Sequence, residues 1–578
     1  MDSRTAAHAL TQIAAYLELR GEARFRSRAY EQAAGALVAL DADDLAPLDH
    51  DGTLAQTRGI GPATLAVVRD LIASGESRYL EQLRASMPPG LLELLRIPSL
   101  GAAKIAQIHA ALEIDSLDQL EQAARDGRLA TVKGFGPRTV ERLLKGIELA
   151  RRSGSQRLLP RARAESIAML AAVRTHRDVV HAEVAGSLRR HNETIADVDI
   201  VAACSGDPRA VAVSFANAPG VLSVARAGTT SPSITYVDGT CLDLYCVSVA
   251  NFATALWRAT GSASHVHAVT ARLADTGYAL VDDTIHDASG ARVPLATERE
   301  LYALAGLTEM PPELREGGDE SLPRNGDAPP RLLELGDLRG VLHCHSTYSD
   351  GKATIAEMAA AARERGWSYL GITDHSQAAF YAGGLKRDQV LAQHDEIDAL
   401  NAVAGDFRLL KGIEADILAD GALDYDDELL DRFDFVVGSI HSRFTMDQPT
   451  MTARVLRALD DPRLTILGHP TGRLLLAREA YAIDMEPVLE KAGANGVAVE
   501  INADPHRLDL DWRLSRRARA LGVTMEIGPD AHSTAGLDNV SYGVGIARKG
   551  GLSAREVLNA RSVDDVLAFA RARRSGGR

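Results

Sequence analysis

The chain has 578 residues, 46% of them hydrophobic but only 4% aromatic, with a formal net charge of -14. That length exceeds one ordinary core and implies roughly three to five domains, with alanine and leucine filling much of the interior. The acidity excludes a uniformly basic nucleic-acid binder, yet it is uneven: residues 1–165 carry 22 Lys+Arg against 21 Asp+Glu, so the surplus lies downstream.

Residues 1 to about 160 read as helices joined by short glycine turns. Within them "RGIGPATLAVVRDLI" (58–72) and "VKGFGPRTVERLLKGI" (132–147) repeat one pattern: an apolar residue between two glycines, a proline, then an amphipathic helix. "IPSLGAAKIAQIHAAL" (97–112) is a weaker third copy. A turn of this kind leaves backbone N–H groups free at a helix start, where the helix dipole favours a phosphate oxygen. Gly59, Gly61, Gly134 and Gly136 are therefore candidate DNA-backbone contacts, and the copies resemble helix-hairpin-helix motifs of DNA repair proteins. "FRSRAY" (25–30) could add 5'-phosphate binding through Arg24, Arg26 or Arg28, or could be a solvated helical face.

From about 165 to 310, strands such as "HAEVAGS", "DVDIVAACS" and "TCLDLYCVSV" alternate with helices. "VAGSLRRHNETIADVDIVAA" (184–203) sets Gly186 and Ser187 ahead of a strand carrying Asp197 and Asp199. Carboxylates one residue apart on a strand share a face and repel unless cations lie between them. Two magnesium ions would meet that need, with Asp243 of "CLDLYCV" as a third ligand. Gly186, Ser187 and Arg190 could hold a triphosphate.

"EMPPELREGGDESLPRNGDAPP" (309–330) reads as a linker. Beyond it, "YLGITDH", "RLLKGIEADI", "FDFVVGSIHS", "LTILGHP", "VAVEIN" and "TMEIGPDAHS" are short apolar strands separated by helical stretches, the rhythm of a parallel barrel with chemistry at its C-terminal ends. A metal-binding residue type follows strand after strand. His343, His345 and Asp350 come from "LHCHSTYSDG", followed by His375, Glu414, His441, His469, Asp530 and His532. These nine candidate ligands exceed the need of one ion and suit two or three divalent ions that clamp a phosphate and activate water.

"LHCHSTYSDG", "ITDHS", "IE", "SIH", "GHP" and "DAH", in this order, resemble the PHP (polymerase and histidinol phosphatase) family of phosphoesterases. That resemblance implies a distorted barrel with a trinuclear manganese or zinc site. The G-S turn with its carboxylate pair resembles the nucleotidyltransferases and, with "ATGSASH" and "PPELREG", the bacterial family X DNA polymerases. It implies a multidomain chain: an α-helical helix-hairpin-helix region, an α/β nucleotidyltransferase palm and thumb, and a C-terminal distorted (β/α)7-like PHP barrel. The corresponding boundaries are 1–90 and 91–160 for two helical DNA-binding domains, 161–250 palm, 251–312 thumb, 313–336 linker and 337–570 PHP domain.

The resemblance further implies Mg2+ or Mn2+ on Asp197, Asp199 and Asp243, phosphate binding by Gly186, Ser187 and Arg190, and two to three Mn2+ or Zn2+ ions on the PHP ligands. It points to dNTPs and gapped or primer-template DNA as partners, a 3'-5' exonuclease or 3'-end phosphoesterase, and a monomer in the cytoplasm at the nucleoid. Cys204, Cys241, Cys246 and Cys344 show no C-x-x-C spacing, and neither a signal segment nor an apolar run of membrane-spanning length stands out.

Several positions depart from the family pattern. His191 stands where glycine is usual, Arg258 and Ala259 where aromatic residues precede T-G-S, and Val266 and Thr270 where asparagine and arginine follow. These imply weak or relaxed polymerisation, and leave open a polymerase-degenerate protein acting only as a DNA-binding PHP nuclease or phosphatase, or a non-catalytic DNA-bridging scaffold. With Ala63 and Val67 near the lyase-lysine position and no lysine before Lys104, deoxyribose-phosphate lyase activity is not expected.

Overall fold

The computed structural model describes all residues except 2, 23, 41, 43, 89, 96, 98, 99, 155, 238, 318–330 and 576–578. Most of the expected linker therefore lies outside the described residues. The chain divides into two compact units, Met1–Gln156 with Arg209–Leu244, and Arg157–Pro208 with Tyr245–Arg578. Among the described residues no helix is long and apolar enough to cross a membrane.

The first unit is mostly helical, as the glycine-punctuated periodicity predicts. Leu10, Ile13 and Leu17 of the helix Ser3–Leu19 recur at helical spacing and pack with Leu37 and Val68. Leu91, Ile105, Ile108, Leu120 and Phe135 form a second helical core. The strands Val221–Ala225 and Ser233–Tyr236 pair antiparallel, and Ser233 lies opposite Asp243 on the strand Cys241–Ser248.

In the second unit the strands Val179–Val184 and Val198–Cys204 pair antiparallel behind the helix Leu159–Thr175. The following region, with helices Phe252–Thr260, Ala263–Asp275 and Glu298–Leu304, closes over Trp257, Leu273 and Tyr302. Its buried Arg315 is held by Glu298 at 2.6 Å and by the Met310 carbonyl at 2.8 Å.

The C-terminal part is a seven-stranded parallel sheet in which spatial order follows chain order: β1 (Gly340–Val341), β2 (Tyr369–Ile372), β3 (Arg408–Asp416), β4 (Phe435–Ser439), β5 (Ile466–Leu467), β6 (Ala498–Asn502) and β7 (Met525–Gly528). All six connections from strand to strand carry a helix, the arrangement parallel strands require. Beyond β1 and β7 a parallel bridge joins Cys344 to Ala531, and the His345 N–H donates to the Ala531 carbonyl at 2.9 Å, so the sheet nearly closes into a barrel. Phe435, Leu342, Tyr369, Val437 and Ile466 form one of its buried clusters. Every strand therefore delivers its C-terminal end to one mouth.

Candidate metal centre and nucleotidyl-transfer site

The C-terminal ends of the barrel strands and the segments after them bring all nine expected ligands to that mouth, Glu414 from within β3. Their donor atoms fall into three groups, each with all atoms within 4.8 Å of one another: His345, Asp350, His375 and His532; His343, His345 and Asp530; His375, Glu414 and His441. His469 joins them through Nε2, 2.9 Å from Glu414 Oε1. Glu414 stands at the centre, with His375 Nδ1 at 2.8 Å, His441 Nε2 at 3.2 Å and His343 Nε2 at 3.5 Å. Asp530 lies 3.2 Å from His345 Nε2, and Asp350 lies 3.3 Å from His532 Nε2.

Burial favours the neutral form of each group, and the neighbours decide the outcome. Against burial, His441, His375 and His343 hold Glu414 well below the ordinary carboxylate range, and His343 and His345 do the same for Asp530. Burial, reinforced by His375, brings His345 down to about 4, and burial with Arg507 brings His469 down to about 3. Against burial, the neighbouring carboxylates push His343 up, His441 to about 10 and His532 to about 9, so in the metal-free cluster protons offset the ionised carboxylates, and a divalent cation takes their place. His343 Nε2, His345 Nδ1, His375 Nδ1, His469 Nδ1 and Glu414 Oε2 are buried without an aligned hydrogen bond. So many orphaned donors in one pocket fit divalent metal, since each would otherwise cost the full desolvation of a polar atom.

Sequence reasoning missed the residues behind the ligands. Glu500 of β6, fully buried, accepts from His343 Nδ1 at 2.6 Å, and Asp416 of β3 accepts from His441 Nδ1 at 2.7 Å. Each fixes the imidazole tautomer and turns the other nitrogen to the pocket. A charged residue inside the apolar strand "VAVEIN" was the signal available for Glu500. Arg507, beside Asp530 at 3.5 Å, also went unnoticed.

In the transferase region Gly186 has φ 59°, and a Cβ there would fall 1.7 Å from Asp199 Oδ2, so only glycine lets the turn approach this carboxylate. The Ala185 N–H donates to the Asp199 carbonyl at 2.8 Å, fixing the turn to the strand, and Tyr245 Oη lies 3.4 Å from Asp199 Oδ1. Asp197 and Asp199 are half-buried, as are Ser187 and Arg190. Arg190 donates through Nε to Glu316 at 3.0 Å and through Nη1 to the Thr260 carbonyl at 2.8 Å. Asp243 belongs to the other compact unit, where it accepts from Ser233 Oγ and pairs with Arg226 at 3.3 Å.

Three of the departures from the family pattern have defined surroundings. His191 has φ 54°, the left-handed conformation that makes glycine usual at such a position. Its ring fills the notch over Gly545, where a Cβ would come within 2.3 Å of Nδ1, and burial lowers its pKa to about 4. Gly545 lies on the helix Val540–Lys549, whose last residue is fully buried. Lys549 Nζ donates to the Arg190 carbonyl at 3.0 Å and to the Glu316 carboxylate. Arg258 pairs with Asp283 at 2.7 Å, and Val266 packs on the core around Trp257 and Leu273.

In the hairpins Gly59 and Gly134 take φ 101° and 91°. Gly61 and Gly136 immediately precede the helices Pro62–Ser74 and Pro137–Ser153. All four glycines are exposed, while Ile60 and Phe135 between them are buried. The Gly61 N–H is already engaged by Thr64 Oγ1 at 2.9 Å, so fewer donors are open there than the motif suggests. Arg26 pairs with Glu22, which favours the solvated-face reading for that arginine.

Residues 342–504 match the PHP domain, 255–316 the DNA polymerase beta thumb, 1–77 a helix-hairpin-helix domain and 91–148 a SAM-like helix-hairpin-helix tandem. The DNA polymerase/3'-5' exonuclease PolX of Bacillus subtilis (strain 168) is 37% identical over 569 residues, 97% of this chain and 98% of that protein. A probable phosphatase of Syntrophotalea carbinolica is 26% identical over 246 residues, 39% of this chain and 94% of that protein. One of Thermoanaerobacter sp. (strain X514) is 28% identical over 241 residues, 38% of this chain and 91% of that protein.

Proposed function

The chain belongs to the PolX family of DNA polymerase/3'-5' exonucleases, and on that premise we propose that its two sites divide the repair of a short gap. It is a PolX-type DNA polymerase with a PHP domain and DNA-binding helix-hairpin-helix regions. Its finer assignments are the domain boundaries 1–90, 91–160, 161–250, 251–312, 313–336 and 337–570.

At the polymerase site Asp197, Asp199 and Asp243 hold Mg2+ or Mn2+, and Gly186, Ser187 and Arg190 grip the β and γ phosphates of a dNTP. The primer 3'-hydroxyl then attacks the α-phosphorus and pyrophosphate leaves, so the residues' task is alignment and charge neutralisation. The contact between the Gly186 backbone and Asp199 supports this, because it fixes the phosphate loop to the carboxylate strand. Gly59, Gly61, Gly134 and Gly136 contact the DNA backbone.

At the PHP site His343, His345, Asp350, His375, Glu414, His441, His469, Asp530 and His532 hold two to three Mn2+ or Zn2+ ions and release the 3' nucleotide or a 3'-blocking phosphate. When bound, divalent ions supply Lewis acidity to phosphate and water. Glu500 and Asp416 orient His343 and His441, and Arg507 adds positive charge beside Asp530. The protein acts on gapped DNA as a monomer in the cytoplasm, at the nucleoid.

The observation that carries this reading is the convergence of all nine ligands in a chain similar along nearly its whole length to a polymerase/exonuclease. The test is one labelled primer on one-nucleotide-gapped DNA with Mn2+ and dNTPs, comparing the wild type, Asp199→Ala and His343→Ala. Extension lost only in Asp199→Ala and shortening lost only in His343→Ala is expected. Shortening with no extension in any protein would favour the polymerase-degenerate reading instead.

A further inference from the structure

We propose that Phe380 and Tyr381 form a stacking platform for the terminal nucleobase of a DNA strand whose 3' phosphodiester enters the PHP ligand cluster. This rests on the exonuclease reading above and adds a base-binding subsite to it.

The two residues lie on a built turn leaving the ligand His375. The Leu385 N–H returns to the His375 carbonyl at 2.8 Å, and the Ser376 N–H donates to the carbonyl of the ligand Glu414 at 3.0 Å. The Ala378 N–H donates to Asp424 Oδ2 at 2.7 Å, and the Gly384 N–H to the Ala379 carbonyl at 3.1 Å. The short 3-10 turn Phe380–Ala382 at the apex is thus tied at both ends to the ligand segment.

Ordinary packing would put its aromatic residues inside and its alanines outside. Here Ala379 and Ala382 are buried, while Phe380 is 83% and Tyr381 63% exposed. Their rings stand edge to face, 6.0 Å apart at 80°. In a chain with 4% aromatic residues, two adjacent rings spent on solvent at the mouth of a phosphoesterase site call for a ligand face.

The surroundings indicate which face. Gly383 of the same turn closes on the backbone of Ser349, the neighbour of the ligand Asp350. Burial first, and then the charges of Asp416, Glu414 and Asp350, push the Tyr381 phenol up, which places it within electrostatic range of the ligand carboxylates. Arg507 and Arg478 lie within electrostatic range of the same phenol. Arg478 is held in place by the Gly472 carbonyl at 2.7 Å and by the face of Phe444 at 4.5 Å. The mouth therefore offers metal ligands and arginines for a phosphate and bare rings for what is attached to it. A strand with its last phosphodiester in the ligand cluster lays its terminal base toward the turn that leaves His375 and closes on Ser349 beside Asp350. Every base has a π face, so stacking holds the end without reading sequence, as an exonuclease requires.

The experiment uses the full chain. Single strands ending in a normal nucleotide or in an abasic tetrahydrofuran are digested with Mn2+ and no dNTPs, and a strand ending in 2-aminopurine is titrated in EDTA while its fluorescence is followed. For the double variant Phe380→Ala/Tyr381→Ala, kcat/KM on the normal end falls roughly tenfold to a hundredfold, the loss of one to two stacking contacts. Activity on the abasic end is unchanged, and the fluorescence quenching seen with the wild type disappears. Tyr381→Phe keeps both. Equal loss on the two ends, or undiminished quenching, overturns the platform. Full activity of the double variant on both ends also overturns it and leaves the surface to a protein partner. If the wild type shortens neither strand, the exonuclease reading fails on its own, and the quenching still decides whether the platform binds a base.

Discussion

The ligand cluster of the barrel and the glycine-serine turn of the transferase region both gather charge, but they hold it differently. In the cluster, carboxylates and imidazoles already face one another at 2.8 to 3.8 Å, buried, with five donor atoms lacking an aligned partner. In the turn, Arg190 is engaged by Glu316 and Thr260, and the carboxylates beside it are half-buried. The first is preorganised for cations and draws its cost from burial. The second must exchange partners when a nucleotide arrives, so its neighbours can tune it.

The largest effects should separate the two regions outright. His343→Ala removes a ligand beside Glu414 and Asp530 and should lower shortening by about 10^3-fold or more, with extension kept. Asp199→Ala should do the reverse. Both are read on the same gapped primer, and a variant that loses both activities would break the division.

Next comes Gly186→Ala. The added methyl meets the Asp199 carboxylate at 1.7 Å and the φ of 59° disfavours it, so the strand carboxylate must shift. A displacement of about 1 Å costs roughly 10^2-fold in a positioned reaction, so extension should drop by that order while shortening stays. Glu500→Gln acts on the other region. It weakens the acceptor that orients His343 and should reduce Mn2+ affinity and exonuclease activity about 10- to 100-fold. Metal titration followed by isothermal calorimetry checks the first and single-strand digestion the second.

The comparison also explains what could be read in advance. A β/α rhythm fixes where strand ends go, so His375, Glu414, His441 and His469, each at or near such an end, announced a common site without any coordinates. The positioning acids did not announce themselves, because Asp416 and Glu500 differ from ordinary strand residues only by being charged inside an apolar run. At the transferase turn the motif was legible, but where its departing residues go was not. His191 and Arg258 read as altered nucleotide contacts, and only the structure shows that the one fills a notch over Gly545 and the other pairs with Asp283. Likewise Glu316 lies well over a hundred residues from Arg190 in the sequence, and no local pattern joins them.

Lys549 yields the smallest effect and bears most directly on tuning. Its ammonium, buried with no exposed surface, donates to the Glu316 carboxylate that also holds Arg190, and to the Arg190 backbone carbonyl. A cation shared onto Glu316 weakens its hold on Arg190, and the carbonyl contact keeps the loop in place. Lys549→Met should therefore leave Arg190 more tightly paired, raising the KM for dNTP several-fold, about 1 kcal/mol, with kcat and exonuclease activity little changed. Lys549→Arg should restore the KM. Burial, opposed by Glu316, brings the lysine from its ordinary 10.5 down to about 8. The charged form is complete below that value and is lost as pH rises through it, so the wild-type KM for dNTP should climb above about pH 8. In Lys549→Arg that climb should be absent, because arginine keeps its charge across this range. A KM that rises equally in both proteins would assign the pH effect to the nucleotide or the DNA and leave Lys549 a packing residue.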